Sequence, residues 1–474
     1  MSKHAREGSE PTGRPGGGRG KAGGGPARRR RASAPIAPAR RCAYAVLRRV
    51  FEQGAYADRA LQAEALKLDA RDRALTMRLA YGAIQRRATL DHVIERLADR
   101  PSARLDAPVL AALRLGLYEL LYLDGAPDHA VVADCVELAK TGRSSAYNLV
   151  NAVLRRATRE GVAALIGALR EDTPEQVAIA HSHPQWLARL WWDYLGSGDA
   201  RALMVADNEP GELALRVNTL CATPAAVAAE LGVPTHTDPE LPEALVLEGP
   251  FDLHGSDLWE SGAVLAQSRA AMLVARALDP QPGERVLDLC AAPGGKSTHI
   301  AALMGDEGEV VAVERNRARG AEMVATARRL KAHSIRVELA DAITARPEGS
   351  VYDRVLIDPP CSGLGTLQAR PDLRWRVTAE DIEQLAKIQM AILDAGAQAL
   401  RPGGMLVYST CTISAQENER QIERFLDRNS HFALDDISNE QQSHIHPSMS
   451  EALLTMPHRD HTAGFFIARM RRVG

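Results

Sequence analysis

Apolar residues recur every three or four positions from Ala39 to about Glu160. That spacing is typical of amphipathic helices, because residues three and four apart share one face of an α-helix. Three prolines stand where loops or helix starts are expected, namely Pro101, Pro108 and Pro127. The pattern predicts about five to seven short helices in this part of the chain. The segment Leu115–Tyr122 is apolar on nearly every side, so we expect it to form a central buried helix.

From Arg285 onward the pattern changes to short apolar runs, rich in β-branched residues, that alternate with helical segments. The runs are Val286–Leu289, Glu309–Val313, Ile335–Glu338, Arg354–Ile357 and Met405–Tyr408. Strands that alternate with helices predict a parallel sheet covered by helices on both faces. Ligands of such a sheet bind beyond the carboxyl ends of the strands, so residues at those ends are the candidates for chemistry.

Patterning and composition divide the 474 residues into four parts. We assign a Gly/Arg/Pro-rich tail to residues 1–37, a helical domain to 38–170, a small α+β subdomain to 171–255 and an α/β domain to 256–474. The small subdomain is most strand-like at Leu215–Thr219. A chain of this length is expected to contain several domains, each able to bury its own core.

Charge is distributed unevenly along the chain. Residues 1–41 contain eleven Lys and Arg against two Glu, a balance of +9, so the remainder carries −11 of the total of −2. A basic Gly/Pro-rich segment cannot form a core, and we expect the tail to be disordered. It could bind nucleic-acid phosphate without sequence preference, or it could act only as a solubilising tail.

The composition, with 45% hydrophobic and 25% charged residues, is that of a soluble globular protein. No apolar run approaches the roughly 18 residues of a transmembrane helix, and the N-terminus lacks the apolar core of about 7 to 15 residues of a secretory signal. We therefore expect a cytoplasmic protein without membrane contact. Six cysteines without a C-x-x-C pair argue against a disulfide scaffold or a zinc site. His444 and His446 have no further ligand at a suitable spacing, so we interpret them as loop residues and expect no metal.

The first strand of the α/β domain ends in a glycine turn. Asp288 closes the strand, and Pro293-Gly-Gly295 leads into a helix expected near Lys296, so backbone can approach a ligand without interference from a Cβ atom. Glu314 ends the second strand about twenty residues later, where a carboxylate commonly accepts both hydroxyls of a ribose. Asp341 follows the third strand and could accept from an adenine amino group. These positions predict a nucleoside-containing cofactor.

Gly294-Gly-Lys-Ser297 also matches the end of a phosphate-binding P-loop, which makes an NTPase an alternative. The first glycine of that motif would stand at position 290, which is Cys. A proline at 293 and the carboxylate of Glu314 also suit a ribose better than a triphosphate. S-adenosylmethionine is the cofactor that fits best, since its sulfonium needs no phosphate-binding lysine. Lys296 then caps local carbonyls, pairs with a ligand carboxylate, or is an ordinary residue at a helix start.

Two cysteines follow the fourth and fifth strands, in Asp358-Pro-Pro-Cys361 and Ser409-Thr-Cys411. Neighbouring strand ends would bring both sulfurs into the cofactor crevice. Carbon 5 of cytosine is too weakly nucleophilic to accept a methyl group from a sulfonium unless a nucleophile first adds to carbon 6, and a thiolate can do that. The residues alone leave open which cysteine attacks, and the other cysteine or Asp358 could assist proton removal from carbon 5. The motif Ser414-x-x-Glu417 predicts a capping box that starts a helix soon after Cys411.

Several motifs together resemble those of the RNA cytosine-5 methyltransferases, namely Leu215–Asn218, Cys290–Lys296, Asp358–Gly363 and Ser409–Cys411. The preceding part of the chain resembles the NusB-type RNA-binding fold through Ala57–Leu61, Asp72–Gly82, Leu115–Leu120 and Asn148–Arg155. With both parts in this order, the chain resembles the bacterial 16S rRNA cytosine-5 methyltransferases of the RsmB/Sun family.

The resemblance implies an all-α NusB-like domain, a small RNA-contacting α+β subdomain and a Rossmann-like class I methyltransferase domain. It implies that Cys411 is the nucleophile and that the Cys361 thiol aids product release. The residues that it implies for the S-adenosylmethionine site are Cys290, Ala291, Ala292, Pro293, Gly294, Gly295, Lys296, Glu314, Asp341 and Asp358. The implied partner is RNA, either 16S rRNA or a small-subunit assembly intermediate, and nothing requires more than a monomer.

Two positions depart from the family pattern. Gln267-Ser268 stands where Gln-Asp is usual, and Ala463–Phe466 stands where Asp-Gly-Phe-Phe is usual, although neither carries the thiol chemistry. Two other function classes are a non-catalytic RNA-binding protein and a protein methyltransferase that uses the Asp-Pro-Pro segment on an amide nitrogen. The second has no use for Cys411. Arg374-Trp-Arg376 could be a solvated face, or it could stack on a base and contact RNA.

Overall fold

The computed structural model describes residues 35–141, 146–345, 351–437 and 442–473. Nearly all of these residues belong to one compact unit, which spans residues 37–474. Almost all of the predicted basic tail, residues 1–34, lies outside the described residues, so its disorder stays a prediction.

The described part of residues 38–160 folds into seven α-helices and one 3-10 turn at Ser102–Arg104. The helices are α1 (Pro38–Gln53), α2 (Ala57–Ala65), α3 (Ala70–Gln85), α4 (Arg87–Ala98), α5 (Ala107–Tyr122), α6 (Asp128–Thr141) and α7 (Tyr147–Glu160). Helix α5 packs against α1, α3, α4, α6 and α7 and is buried on nearly every side. Helix α3 can approach it because Gly82 has no side chain, since a Cβ there would lie 1.9 Å from the Tyr118 ring. The predicted helical domain and its central helix are confirmed.

Three helices connect this domain to a small antiparallel sheet. They are α8 (Val162–Leu165), α9 (Pro174–Ala180) and α10 (Gln185–Ala206), the last of which is bent at Gly196, where φ is +80°. The small subdomain contains β1 (Ala214–Val217), α11 (Pro224–Leu231), β2 (Thr235–Asp238), β3 (Leu241–Leu247), a 3-10 turn (Leu253–Gly255), α12 (Asp257–Glu260) and β4 (Val264–Ala266). Its strand order is β2–β3–β1–β4, with every neighbouring pair antiparallel. Strand β1 is the one predicted at Leu215–Thr219.

The rest of the described chain forms a mixed sheet between two layers of helices. Its elements are α13 (Arg269–Leu278), β5 (Arg285–Asp288), α14 (Gly295–Leu303), β6 (Glu309–Val313), α15 (Arg317–Arg329), β7 (Ile335–Glu338), β8 (Tyr352–Ile357), α16 (Leu373–Arg376), α17 (Ala379–Ala399), β9 (Leu400–Thr410), α18 (Glu419–Arg428), β10 (Phe432–Leu434), a 3-10 turn (Gln442–His444), β11 (Leu453–Thr455), α19 (Pro457–Asp460) and β12 (Phe465–Arg472). Alternate strand residues enter two separate cores, one shared with α13 and α14 and the other with α10, α17 and α18.

The predicted sheet is parallel only in part. Its order is β10–β12–β9–β8–β5–β6–β7, and the five predicted strands β5 to β9 are parallel to their neighbours within that set. Strand β12 pairs antiparallel with β9 and also carries β10 and β11 as antiparallel neighbours. The connection from β11 to β12 runs only from Met456 to Gly464, which is long enough for an antiparallel pair but not for a crossover between parallel strands. The five runs predicted as parallel strands are confirmed, and the antiparallel strands at this edge lie outside those runs.

Helix α16 joins the α/β domain to the helical part of the molecule. The Arg374 side chain is fully buried. Its guanidinium donates to the Ser182 carbonyl at 3.1 Å, the Asn208 side-chain oxygen at 2.9 Å and the Asp207 carbonyl at 2.9 Å. Burial lowers the pKa of Arg374 to about 10, and the Asp207 carboxyl opposes that shift. The guanidinium is therefore a buried link between domains.

The two residues after Arg374 extend the same contact. Trp375 Nε1 donates to the Ile84 carbonyl at 2.7 Å, and Arg376 donates to the Gly54 carbonyl at 2.7 Å. The sequence allowed two interpretations of this segment, a solvated face or an RNA contact. Both are wrong for Arg374, which is buried, and for the Trp375 indole nitrogen, which already has a protein acceptor. The sequence could not reveal this, because the acceptors are carbonyl groups of residues about 166 to 322 positions away.

Arg374→Met should destabilise the fold. The change leaves two carbonyls and one side-chain oxygen buried without their donor, and we expect the free energy of unfolding to fall by about 3 kcal/mol. Arg428→Met is the matched control, because Arg428 is exposed and forms its ion pair at the surface, with Asp394 at 3.0 Å. Its effect should stay below about 0.5 kcal/mol in urea unfolding monitored by tryptophan fluorescence. Equal effects of the two changes would contradict the assigned role of Arg374.

Candidate functional site

The structure brings the two predicted thiols together at the carboxyl edge of the sheet. Cys361 follows β8 and Cys411 follows β9, and these strands are parallel neighbours. The two Sγ atoms are 3.3 Å apart, within hydrogen-bond distance of each other. Both side chains are partly buried. One thiol can therefore donate its proton to the other sulfur.

A partly buried ion pair lies beside the thiols. Lys296 Nζ is 2.6 Å from Asp358 Oδ2, and Asp358 Oδ1 accepts from the Ser409 hydroxyl at 3.0 Å. The Lys296 ammonium also lies 5.1 Å from the centre of the Phe465 ring. Burial acts to lower the pKa of Lys296, but Asp358 outweighs it and the pKa is raised. Of the interpretations considered for Lys296, pairing with a carboxylate is the one observed, although the carboxylate belongs to the protein.

The surroundings of the thiols favour ionisation of Cys411. The hydrogen bond from Cys361 lowers the pKa of Cys411, and Lys296 and Arg370 act in the same direction against burial and Asp358. The same hydrogen bond raises the pKa of Cys361, with burial, Cys411 itself and Glu417 adding to the rise. These surroundings favour the arrangement in which the Cys361 thiol donates to the Cys411 sulfur, so that Cys411 carries the negative charge when one of the two thiols ionises.

The predicted capping box at Ser414 and Glu417 does not form. Helix α18 begins at Glu419, and Asn418 at its N-cap position makes no side-chain cap. The Glu417 carboxylate instead points inward and accepts from the Ser362 amide and hydroxyl and from Gln389. A carboxylate held by these three donors is not available to the helix end. The Ser414-x-x-Glu417 spacing thus predicts a structural role for Glu417 correctly, but its partners are Ser362 and Gln389 instead of the start of a helix.

The glycine turn after β5 has the predicted form. Asp288 is buried, with its Oδ1 accepting from the Cys290 amide at 3.3 Å and its Oδ2 from the Ser297 hydroxyl at 2.6 Å. Burial raises the pKa of Asp288 to about 6, against the Ser297 hydrogen bond. Gly294 has φ of +100°, and a Cβ there would lie 3.1 Å from Met323 Cγ. Asp288 thus braces the turn, and Gly294 allows it to bend closely into α14.

The small subdomain also holds this turn, through a residue that sequence reasoning did not single out for the site. Arg216 on β1 is buried and donates to the Gly295 carbonyl, to Thr298 Oγ1 at 2.8 Å and to Gln267 Oε1 at 2.7 Å. Burial lowers the pKa of Arg216 to about 9. The only sequence signal was that Arg216 belongs to the motif Leu215–Asn218, which the family shares.

The departure at Gln267-Ser268 preserves local structure. Gln267 accepts from Arg216, and the Ser268 side chain accepts from the Ala271 amide at 3.2 Å as the N-cap of α13. Serine and aspartate are about equally good N-caps, so serine can replace the usual aspartate. Nothing in the structure explains the departure at Ala463.

The remaining candidate residues lie along the same edge of the sheet. Glu314 follows β6, is 6% exposed, and accepts from the Asn316 amide at 2.7 Å. Arg319 bridges Glu314, at 3.3 Å, and the Ala292 carbonyl, at 2.6 Å. Asp341 follows β7, is exposed, and accepts from the Ile343 amide at 2.9 Å.

The rest of the glycine loop completes this edge. Ala291 and Ala292 are buried, while Cys290 is partly buried and packs against the sheet core. Pro293 leads from these residues into the turn at Gly294 and Gly295. A backbone cradle next to a shielded carboxylate, Glu314, has the chemistry required by an adenosine-bearing ligand. The residues present therefore fit S-adenosylmethionine.

The two histidines singled out in the sequence lie among acidic and aromatic side chains. His446 is buried, 2.6 Å from Glu419 Oε1, and His444 is 3.3 Å from Asp460. Within the described ranges, no group of three or more His, Cys, Asp and Glu side chains is arranged to hold a metal ion. The helices of those same ranges include none that is long and apolar enough to cross a membrane.

Three family models match successive parts of the chain. The model described as "NusB family" matches residues 37–159, "Methyltr_RsmF/B-like, ferredoxin-like domain" matches 183–254, and "16S rRNA methyltransferase RsmB/F" matches 275–471. A "Probable ribosomal RNA small subunit methyltransferase B" of Synechocystis sp. is 37% identical over 92% of this chain and 99% of its own length. A protein of the same description from Bacillus subtilis is 35% identical over 86% and 92%, respectively.

Two solved structures are similar in fold. The crystal structure of PH0851 covers 93% of this chain and 99% of its own, with a TM-score of 0.77 and 28% identity. NSun6 from Pyrococcus horikoshii, crystallised with the S-adenosylmethionine analogue SFG, covers 61% of this chain and 98% of its own, with a TM-score of 0.56 and 26% identity. The match to PH0851 spans most of this chain, whereas the match to NSun6 spans about three fifths of it.

Arg216→Met should weaken S-adenosylmethionine binding without abolishing folding. Loss of the hydrogen bonds to the Gly295 carbonyl and Thr298 frees the turn, and we expect the dissociation constant in isothermal titration calorimetry to rise roughly tenfold. Arg328→Met, on the exposed face of α15, is the control and should leave the affinity unchanged. Unchanged affinity in Arg216→Met would mean that the turn does not need this support.

The thiol pair itself can be titrated in the free enzyme. Cys361→Ala removes the donor to Cys411, so the pKa of Cys411 should rise and its alkylation by iodoacetamide near neutral pH should slow roughly tenfold. Cys361→Ser keeps a hydroxyl donor and should slow alkylation much less. Peptide mass spectrometry after timed alkylation measures both rates. Equal rates for wild type and Cys361→Ala would show that the 3.3 Å contact does not stabilise the thiolate.

Proposed function

We propose that this chain, which belongs to the RsmB/F family of S-adenosylmethionine-dependent 16S rRNA methyltransferases, methylates carbon 5 of a cytosine in small-subunit rRNA. The observation that carries this proposal is the 3.3 Å pair of Cys361 and Cys411 at the ends of adjacent strands. Methyl transfer to an exocyclic nitrogen needs no thiol nucleophile, whereas carbon 5 requires prior addition at carbon 6. The resemblance to the NusB and RsmB families and the three-part fold are confirmed, and a purely RNA-binding role is disfavoured.

The chain's own residues supply the nucleophile. S-adenosylmethionine, when bound, supplies the methyl group as an electrophile. The Cys411 thiolate adds to carbon 6 of the cytosine, and the electron pair of the carbon 5–carbon 6 double bond then makes carbon 5 nucleophilic. Cys411 suits this role because the Cys361 hydrogen bond, Lys296 and Arg370 lower its pKa.

Cys361 acts when the product is released. After carbon 5 has been methylated, a base removes its remaining proton, the double bond re-forms, and Cys411 leaves as a thiolate. A Cys361 thiol 3.3 Å away can donate to that thiolate and so stabilise the leaving group. Asp358 is less suited than Cys361 to assist product release, because its two carboxylate oxygens already accept hydrogen bonds from Lys296 and Ser409.

The remaining parts of the chain are assigned to substrate binding. We assign RNA contact to the helical domain, residues 38–170, and to the small subdomain, residues 171–255. The curated relatives are described as acting on small-subunit ribosomal RNA. We therefore propose 16S rRNA or a small-subunit assembly intermediate as the substrate, methylated by a monomer in the cytoplasm.

The two cysteines can be distinguished by trapping. Cys361→Ala should accumulate a covalent protein–RNA adduct that carries the transferred methyl group, because addition proceeds while release stalls. Cys411→Ala should transfer no methyl group and form no adduct, yet bind S-adenosylmethionine as the wild type does. Denaturing electrophoresis after incubation with 16S rRNA and methyl-labelled S-adenosylmethionine separates these outcomes.

Cys42→Ala is the matched control, since Cys42 lies in the helical domain and its thiol donates to the Glu64 carbonyl. It should turn over like the wild type, with 5-methylcytosine as the labelled nucleoside after RNA digestion. An adduct for Cys411→Ala alone would exchange the two roles. Label in an exocyclic N-methylcytosine, or none in any RNA, would contradict the proposed reaction.

A further inference from the structure

The buried carboxylate of Glu417 holds the segment that carries Cys361. Its Oε1 accepts from the Ser362 amide at 2.9 Å and from Gln389 Nε2 at 3.0 Å, and its Oε2 accepts from the Ser362 hydroxyl at 2.5 Å. The Glu417 residue is 0% exposed. Ser362 directly follows Cys361, so two of these three hydrogen bonds fix the backbone and side chain next to the thiol.

The same carboxylate reaches the Cys411 segment through one hydroxyl relay. Ser362 Oγ is 2.6 Å from Thr412 Oγ1, and Thr412 directly follows Cys411. A serine hydroxyl has a single proton. If that proton is donated to Glu417, Thr412 must be the donor to Ser362. An ionised Glu417 therefore orients one chain of hydrogen bonds that spans both thiol segments.

Charged groups around the pair are arranged unequally. Lys296 and Arg370 favour a negative charge on Cys411, whereas Glu417 opposes one on Cys361. Asp358 opposes ionisation of both sulfurs, but it is paired with Lys296 at 2.6 Å. Burial raises the pKa of Glu417, and hydrogen bonds from Ser362 and Gln389 act against that rise. These donors are the partners that a carboxylate, which only accepts, requires.

We propose that Glu417 is a positioning residue that holds the two thiol segments together and keeps the proton of the pair on Cys361. This inference rests on the roles given to Cys411 and Cys361 in the proposed function. Through this arrangement Glu417 decides which sulfur is the nucleophile, without touching the substrate. A residue that served only the fold would have no effect on the relative ionisation of the two thiols.

Glu417→Gln separates charge from shape. The glutamine oxygen can still accept from the Ser362 amide and Gln389, and its amide group can donate to Ser362, whose hydroxyl then turns toward Thr412. The carboxylate charge beside Cys361 is lost. We expect the ratio of Cys411 to Cys361 alkylation near neutral pH to fall roughly tenfold, with the pH midpoint for Cys361 alkylation shifted downward.

The alkylation experiment uses free full-length enzyme, iodoacetamide across a pH series, and peptide mass spectrometry of both cysteines. Glu423→Gln, an exposed carboxylate on α18, is the matched control and should keep the wild-type ratio. An unchanged ratio in Glu417→Gln, or a parallel rise of both rates, overturns the proposal. If Glu417→Gln does not fold, the wild-type enzyme still tests the proposal. Preferential alkylation of Cys361 over Cys411 near neutral pH would contradict the claim that the proton stays on Cys361.

The alkylation test of Glu417 is independent of the tests of the proposed function, because alkylation needs neither RNA nor cofactor. Methyl transfer and the Cys361→Ala adduct, combined with an unchanged alkylation ratio, would remove the role of Glu417 alone. A changed ratio in a protein that methylates no cytosine would remove the proposed function and leave the proton placement intact.

Discussion

The 3.3 Å contact between the Cys361 and Cys411 sulfurs is the constraint on which the rest of the site depends. Two thiolates at this distance would repel each other strongly, and two neutral thiols would offer a poor nucleophile, so a useful pair shares one proton. The placement of that proton is an electrostatic question. Lys296 and Arg370 act on one sulfur and Glu417 on the other, which gives the two chemically identical side chains different roles.

All parts of the described structure contribute to this geometry through buried polar contacts. Arg216 of the small subdomain holds the Gly295 turn, and Trp191 of the linker helix α10 donates to the Ile413 carbonyl, two residues after Cys411, at 3.0 Å. Arg374 attaches the α/β domain to the segment around Ser182. Each is a buried donor directed at backbone carbonyls, and loss of such a donor is expensive. The domains are thereby held in one arrangement around the thiols.

Features that follow from local spacing could be predicted from the sequence. Gly294, Cys361 and Cys411 each follow an apolar run that was predicted to be a strand. Because parallel strands end at the same edge of a sheet, these three residues were assigned correctly to one edge. Strand β12 was not predicted, and its antiparallel direction could not have been, because an apolar pattern does not specify the direction of a strand. The capping box at Ser414 and Glu417 was wrong because a distant segment, Ser362, competes for the same carboxylate. Arg374 was misinterpreted for the same reason, since its acceptors lie far away in sequence.

Addition of Cys411 to carbon 6 is the central claim, and RNA containing 5-fluorocytosine tests it most directly. Fluorine at carbon 5 cannot leave as a proton does, so the methylated adduct with the wild-type enzyme should persist through denaturation. Proteolysis and mass spectrometry of that complex should locate the modified nucleotide on the peptide that contains Cys411. Attachment at Cys361, or turnover of the fluorinated RNA without any covalent complex, would contradict the mechanism.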